Sequence, residues 1–495
     1  METMDHLQKR LAQVEAVIAQ GPFHDDWESL SEFAVPAWYR NAKFGIFIHW
    51  GAYAVPAFGN EWYPRNMYQQ GTPEFDHHRK VYGPQDQFGY RDIIPLFKAE
   101  KFDAAAWADL FKEAGARFVV PVAEHHDGFA MYRTDLSHWN AAEMGPKKDI
   151  LGLLKEELEK RAIVLGASSH RMEHYWFLSG GLQFESDVPV NAPYGDLYWP
   201  TRPDPFQNGD MQQTRGMQVE EVFMQDWLAR CCELVDRYRP QLVYFDWWIQ
   251  VEPMKPYLKK FAAYYYNRAK EWGRPAVINY KFDAFGYHTA VPDIERGQLA
   301  AISPDFWQCD TSVAKNSWCY TEGNEYKTPR DILCDLCDIC SRNGSMLLNI
   351  GPKADGTIPE EDAHILRHIG RWLRENGEGI YDTTHWKVYG EGPTEVKEGH
   401  FTDTLRGEFT PEDIRFTSKN GAVYAFVLRW PEDGVVKIHA LHSGGMEAKF
   451  RGFVRKVTLL ATGESLPFED GEDALIIHGP QGTKEDPVGL KIEID

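Results

Sequence analysis

Histidines and carboxylates recur at one kind of place in this sequence, just after short apolar runs. Phe44-Gly45-Ile46-Phe47-Ile48 runs into His49-Trp50-Gly51, and the loop beyond carries Asn60-Glu61-Trp62-Tyr63. Phe118–Val122 leads to Glu124-His125-His126-Asp127, and Ile163–Ala167 to Ser168-Ser169-His170-Arg171-Met172-Glu173-His174. Leu242-Val243-Tyr244-Phe245 ends on Asp246, followed at once by Trp247 and Trp248. Two later runs deliver Asn279-Tyr280-Lys281 and Trp307-Gln308-Cys309-Asp310. Unbroken apolar runs of this length read as strands buried on both faces, the kind found in parallel sheets. The C-terminal tips of such strands are where barrel enzymes keep their reacting groups. A single histidine so placed is more often a structural residue. A set at the same end of successive strands converges on one mouth, which packing alone does not explain.

Two chemistries compete for such a mouth. Divalent metal centres on barrels typically open with a His-x-His pair on the first strand, whereas here a lone His49 precedes Trp50. Neighbours His125 and His126 point to opposite faces of a strand and cannot easily share one metal. The stronger reading is glycoside hydrolysis by two carboxylates, with neutral imidazoles and aromatic walls holding the sugar. That chemistry needs no metal and no cofactor. The indoles of Trp247 and Trp248, next to Asp246, suit the C–H faces of a pyranose, and Trp307 and Gln308 are further candidate sugar contacts.

The elements that must position these residues alternate from Phe44 to about Tyr381. Strands are predicted at 44–49, 118–122, 163–167, 242–246, 276–280, 305–309 and 346–350. Helices are predicted between them at 103–114, 148–161, 219–238, 256–272, 329–342 and 360–376. Repeated strand-then-helix units imply parallel strands, and this many imply an α/β fold of the (β/α)8-like TIM barrel class. It is somewhat irregular, since seven strands are legible rather than eight. Leu178 to Met217 is rich in Pro, Gly, Asn and Asp and too long for a plain connection, so it reads as an active-site loop. After Tyr381 short alternating runs at 422–428, 435–438, 454–460 and 474–477, separated by turns such as Asn420-Gly421, predict an antiparallel β-sandwich. The expected organisation is an N-terminal helix and lead-in (1–35), a catalytic barrel (36–384) and a β-sandwich domain (385–495). The helix, predicted over 5–19, is available for a homo-oligomer interface.

Composition excludes several classes. A net charge of −21 over 495 residues is the wrong sign for nucleic-acid or anionic-membrane partners. Residues 1–30 hold no apolar signal core and no run approaches a membrane span, so a cytoplasmic enzyme is expected. Seven cysteines show no disulfide-framework spacing. Cys334, Cys337 and Cys340 form a CxxCxxC run in a helical pattern without partners to complete a metal set, and read as small buried thiols.

Taken together, the motifs resemble one family, the α-L-fucosidases of glycoside hydrolase family 29. The resemblance is carried by Phe44–Gly51, Glu61-Trp62-Tyr63, His125-His126-Asp127-Gly128-Phe129, Ser341-Arg342-Asn343-Gly344 through Pro352, and Asp355-Gly356-Thr357-Ile358-Pro359. It implies a barrel followed by a β-sandwich and retaining, exo-acting release of L-fucose from a fucosylated oligosaccharide or glycoconjugate. It also implies Asp246 as the nucleophile that forms a fucosyl-aspartate. His49, Glu61, Trp62, His125 and His126 would bind fucose, Tyr244 would lie against the sugar, and Lys281 would supply the charge of the family's usual Arg. One position departs. Many members carry the acid/base as the Glu of a Trp-Glu pair, where this chain has Trp307-Gln308. An amide cannot transfer the proton, so the role passes to Glu295 or Glu61, with Asp310 as a remoter choice. The alternatives are a catalytically impaired fucose-binding homologue, or a glycosidase for a related sugar such as galactose.

Overall fold

A computed structural model describes residues 2–204, 216–444, 446 and 448–495. Eight parallel strands form one sheet: β1 (Phe44–Ile48), β2 (Phe118–Glu124), β3 (Val164–Ser169), β4 (Leu242–Phe245), β5 (Val277–Tyr280), β6 (Val291–Pro292), β7 (Trp307–Ser312) and β8 (Gly344–Ile350). Their order is β6-β5-β4-β3-β2-β1-β8-β7. The open edges meet through a parallel bridge between Asp293 and Gln308, where Ile294 N–H donates to the Gln308 carbonyl at 2.9 Å. The sheet is therefore a closed barrel. The eighth strand, absent from the sequence reading, is β6. It has two residues, one of them Pro292, too few to show any periodicity.

Alternation along each strand decides what enters the barrel. Phe47, Phe118, Val120, Leu242, Tyr244, Val277, Val291 and Leu347 share the interior with Tyr39, from the helix Ala37–Ala42 that precedes β1. Gly45 is the small member of this layer, for a Cβ there would stand 2.4 Å from the Phe118 ring. The outward faces of the strands meet the helices in two larger clusters.

The helices begin where their caps dictate. Asp103 accepts from the N–H groups of Ala105 and Ala106, both at 3.0 Å, and opens Ala104–Glu113. Thr328, followed by Pro329, accepts from Asp331 N–H at 3.1 Å and opens Pro329–Ser341. The helix Glu221–Tyr238 ends on Arg239 in the left-handed region (φ 51°), and Pro240 then turns the chain into β4. The N-terminal helix, Glu2–Gln20, packs on Glu221–Tyr238, with Arg10 Nη1 2.7 Å from Asp236 Oδ2. No helix among the described residues is long and apolar enough to cross a membrane.

Beyond the barrel, β9 (Thr384–Glu391), β10 (Ile414–Lys419), β11 (Ala422–Val427), β13 (Val454–Leu459), β14 (Ser465–Leu466) and β17 (Val488–Ile494) form an antiparallel sheet. A three-stranded sheet of β12 (Val435–Ile438), β15 (Phe468–Asp470) and β16 (Leu475–His478) faces it over a core that includes Phe416, Val436, Ile438, Ile477 and Ile492. The helix Pro329–Ser341 lies between barrel and sandwich, its Asp335 holding Arg406 Nε at 3.1 Å. Cys334, Cys337 and Cys340 are buried in this helix, and all seven cysteines are buried and free. Part of the predicted loop 178–217, residues 205–215, lies outside the described residues.

Candidate active site

A cavity of about 250 Å³ opens at the C-terminal end of the barrel. His49, Glu61, Trp62, His125, His126, His170, Glu173, Tyr244, Asp246, Trp247, Trp248, Glu295, Asp310, Trp318 and Phe401 line it. Pockets for drug-sized ligands run to about 300–1,000 Å³. This one has room for about one monosaccharide.

Asp246 stands one residue past β4. Its Oδ2 accepts from His170 Nδ1 at 2.9 Å and lies 3.4 Å from His126 Nε2. Burial alone would raise its pKa, but His170 and then His126 outweigh that and hold the carboxyl well below the usual range. His126 has acceptors at both nitrogens. Nδ1 lies 2.9 Å from the His170 carbonyl and 3.2 Å from Glu173 Oε2, and Nε2 faces Asp246. Burial works against its charge, yet Glu173 and Asp246 prevail and lift the imidazole to about 9. It is therefore a cation at neutral pH. His170 is neutral, lowered by burial, and its Nε2 meets Ser168 Oγ at 3.0 Å.

The other imidazoles face the sugar position uncharged. His49 Nδ1 donates to Asn349 Oδ1 at 2.7 Å, because that amide spends its own N–H groups on Ser312 Oγ and the Trp318 carbonyl. Nε2 of His49 is left as an acceptor, and burial drops its pKa to about 3. His125, also neutral through burial, has a buried Nδ1 with no hydrogen-bond partner among the described residues. These are groups a sugar hydroxyl can meet.

The second set of carboxylates comes from β6 and β7. Lys281, wholly buried, reaches Asp293 Oδ1 and Asp310 Oδ1 at 2.8 Å each and Glu295 Oε2 at 3.2 Å. Asp310 also accepts from Tyr244 O–H at 2.9 Å. Burial would raise Asp310, but Lys281 and these hydrogen bonds hold it down, so it stays ionised. Glu295 accepts from the Trp247 indole N–H. Burial pushes it up, Lys281 pulls it back, and Asp310 and Asp246 push again, leaving it at about 7. Glu61 is raised by burial and accepts from Trp318 N–H at 2.9 Å.

Three residues singled out from the sequence do not line the cavity. Lys281 stands behind it, among the carboxylates. Trp307 points outward and donates from its indole to the Arg342 carbonyl at 2.9 Å. Gln308 lies one barrel layer below Asp310, two residues back on the same face of β7. Its Oε1 accepts from Tyr39 O–H at 2.7 Å and its Nε2 donates to Asp293 Oδ2 at 2.7 Å. A neutral amide suits that place, because a fourth carboxylate would sit against Asp293. The missing acid at position 308 therefore takes no acid from the cavity.

His170, Glu173, Trp318 and Phe401 are cavity residues with no role assigned from the sequence, whereas Trp248, one of the two indoles expected at the sugar, does line the cavity. His170 and Glu173 carried a usable signal, since both follow β3 as Asp246 follows β4. Phe401 carried none, because it reaches the barrel mouth from beyond the last barrel helix.

Ligand atoms of His49, His125 and His170, and of His126, His170 and Asp246, lie within 4.8 Å of one another. His170 already engages both nitrogens, and His126 holds a proton that a metal ligand must lose. Either grouping would have to break these bonds to hold an ion.

An α/β barrel whose strand ends hold two carboxylates of opposite protonation, neutral imidazoles and indoles in a sugar-sized cavity defines a glycoside hydrolase. The alpha-L-fucosidase model matches residues 10–378, and the alpha-L-fucosidase C-terminal domain model residues 407–492. The chain belongs to the alpha-L-fucosidase family, glycoside hydrolase family 29. It is 29% identical to tissue alpha-L-fucosidase of Homo sapiens over 480 residues, covering 94% of this chain and 89% of that protein. It is 31% identical to plasma alpha-L-fucosidase of Rattus norvegicus over 433 residues, covering 82% and 80%. The crystal structure of Thermotoga maritima alpha-fucosidase in complex with fucose superposes with a TM-score of 0.74 at 29% identity, covering 95% of this chain and all (100%) of that one.

Proposed function

We propose that this chain is an exo-acting, retaining alpha-L-fucosidase in which Asp246 is the nucleophile and Glu295 the acid/base. The observation that carries the reading is the division of charge in one cavity: Asp246 held ionised by His170 and His126, and Glu295 kept near a pKa of 7 beside it. Asp246 attacks the anomeric carbon while Glu295 gives its proton to the departing glycosidic oxygen. The product of this step is a fucosyl ester of Asp246. Glu295, now a carboxylate, removes a proton from water, which attacks the same carbon and releases fucose with retained configuration.

Glu295 is preferred over Glu61 because it feels the charge of Asp246, through which acid and nucleophile must answer one another. Glu61, anchored by Trp318 N–H, is read as a sugar-hydroxyl acceptor together with His49 and His125. The imidazolium of His126 secures the ionised Asp246. The size of the cavity supports exo action on a terminal residue. The test is proton NMR of the first product from an α-L-fucoside. α-L-Fucose should appear before its anomer, and β-L-fucose appearing first would refute retention.

A further inference from the structure

Departure of the leaving group fixes where the rest of a substrate must lie. The acid protonates the glycosidic oxygen, so the aglycone leaves on the side of Glu295. That side is built by two segments distant in sequence. Glu295 N–H donates to His400 Nδ1 at 3.0 Å, and Phe401 N–H donates to the Glu295 carbonyl at 2.8 Å. Thr402 and Asp403 N–H both donate to the Arg296 carbonyl, at 2.8 and 2.9 Å, and Gly399 N–H to that of Gln298 at 3.0 Å. The segment leading into the sandwich is thus laced to the strand end that carries Glu295.

The rings this lacing presents are exposed. Phe401 is 51% and Phe282 38% accessible, among the few large apolar side chains left in water. Both flank the half-buried Trp247, which donates to Glu295. The Phe401 and Trp247 rings stack at 6.0 Å between centroids and 18° between planes, and Phe282 meets Trp247 edge-on at 4.3 Å. Both phenylalanines also sit in the left-handed region, φ 56° for Phe401 and 53° for Phe282. Bulky side chains avoid that region, and such strain collects at ligand-binding sites. Neither exposure nor strain stabilises the fold, so both point to a ligand.

We propose that Phe401, Phe282 and Trp247 form a stacking platform for the pyranose ring to which the terminal fucose is attached. The inference rests on the fucosidase reading and deepens it. The platform grips the neutral C–H face of a hexose or N-acetylhexosamine, and the sandwich lead-in thereby sets which glycans the barrel accepts.

The test compares substrates with and without that ring. α-L-Fucosyl fluoride carries no aglycone to stack, whereas fucosyl-galactose and fucosyl-N-acetylglucosamine disaccharides do. The ratio of kcat/KM for disaccharide to that for fluoride should fall about tenfold in Phe401→Ala, further in Phe401→Ala/Phe282→Ala, and recover in Phe401→Tyr. An unchanged ratio, or a fallen ratio accompanied by a shifted or lost alkaline limb of kcat/KM that reports a disturbed Glu295, overturns the platform alone. Wild-type protein that releases fucose from neither substrate overturns the fucosidase reading, and the platform with it.

Discussion

His170 Nδ1 lies 2.9 Å from Asp246 Oδ2 while its Nε2 meets Ser168 Oγ at 3.0 Å, so the imidazole is held at both ends and offers its proton to the carboxylate. Burial opposes ionisation of Asp246, and His170 is the leading influence against it. Removing His170 favours the protonated carboxyl, so the active ionised form is lost at a higher pH. In His170→Ala the acid limb of the kcat/KM profile should move up by about one pH unit or more. A pH series on an aryl α-L-fucoside measures it.

As the proposed acid, Glu295 would work only while protonated, and its pKa of about 7 places the expected alkaline limb of kcat/KM there. Activity should fall as pH rises through that value. Glu295→Gln should abolish the limb and cost about 10²–10⁴-fold on a fucosyl disaccharide, far less on fucosyl fluoride. Azide added to Glu295→Ala should give the α-fucosyl azide, and added to Asp246→Ala the β-fucosyl azide. Chiral assignment of the two products by NMR checks both roles together.

Gln308 donates to Asp293 and accepts from Tyr39 within the barrel, out of reach of the cavity. Restoring a carboxylate by Gln308→Glu should therefore give no gain in kcat/KM. It should lower stability by about 1–3 kcal/mol, because the donor facing Asp293 is lost. Thermal melts beside a kcat/KM measurement decide this.

Lys281 is buried against Asp293, Asp310 and Glu295. Lys281→Met removes the charge that draws the Glu295 pKa down, so the alkaline limb should shift to higher pH. Unpaired buried carboxylates should also cost about 3–5 kcal/mol, read by urea denaturation.

The barrel was legible because most of its strands begin as apolar runs and regular helical stretches separate them, although β7, Trp307–Ser312, is largely polar. β6 was not, since a strand of Val291 and Pro292 has no period and is defined by its neighbours' hydrogen bonds. Glu295, read as a loop residue, does stand in a turn three residues past β6, but the short strand that aims this turn at the cavity had no signal of its own. Asp246, His49, His125 and His126 were readable because each ends a strong strand. Sequence could not show that Gln308 and Asp310, two residues apart on one face, fall on either side of the cavity floor. Depth along a barrel strand depends on what plugs the far end, here Tyr39. Phe401 was hidden by distance in the chain alone.

The proposed mechanism requires Asp246 to become covalently bonded to fucose. A 2-deoxy-2-fluoro-fucosyl fluoride should glycosylate the enzyme, with loss of fluoride, faster than the resulting ester hydrolyses, so mass spectrometry of the digested protein can locate the sugar. One fluorofucosyl group is expected, on the peptide containing Asp246. Label on Glu295, Glu61 or Asp310, or turnover of the reagent with no adduct at any residue, would contradict it.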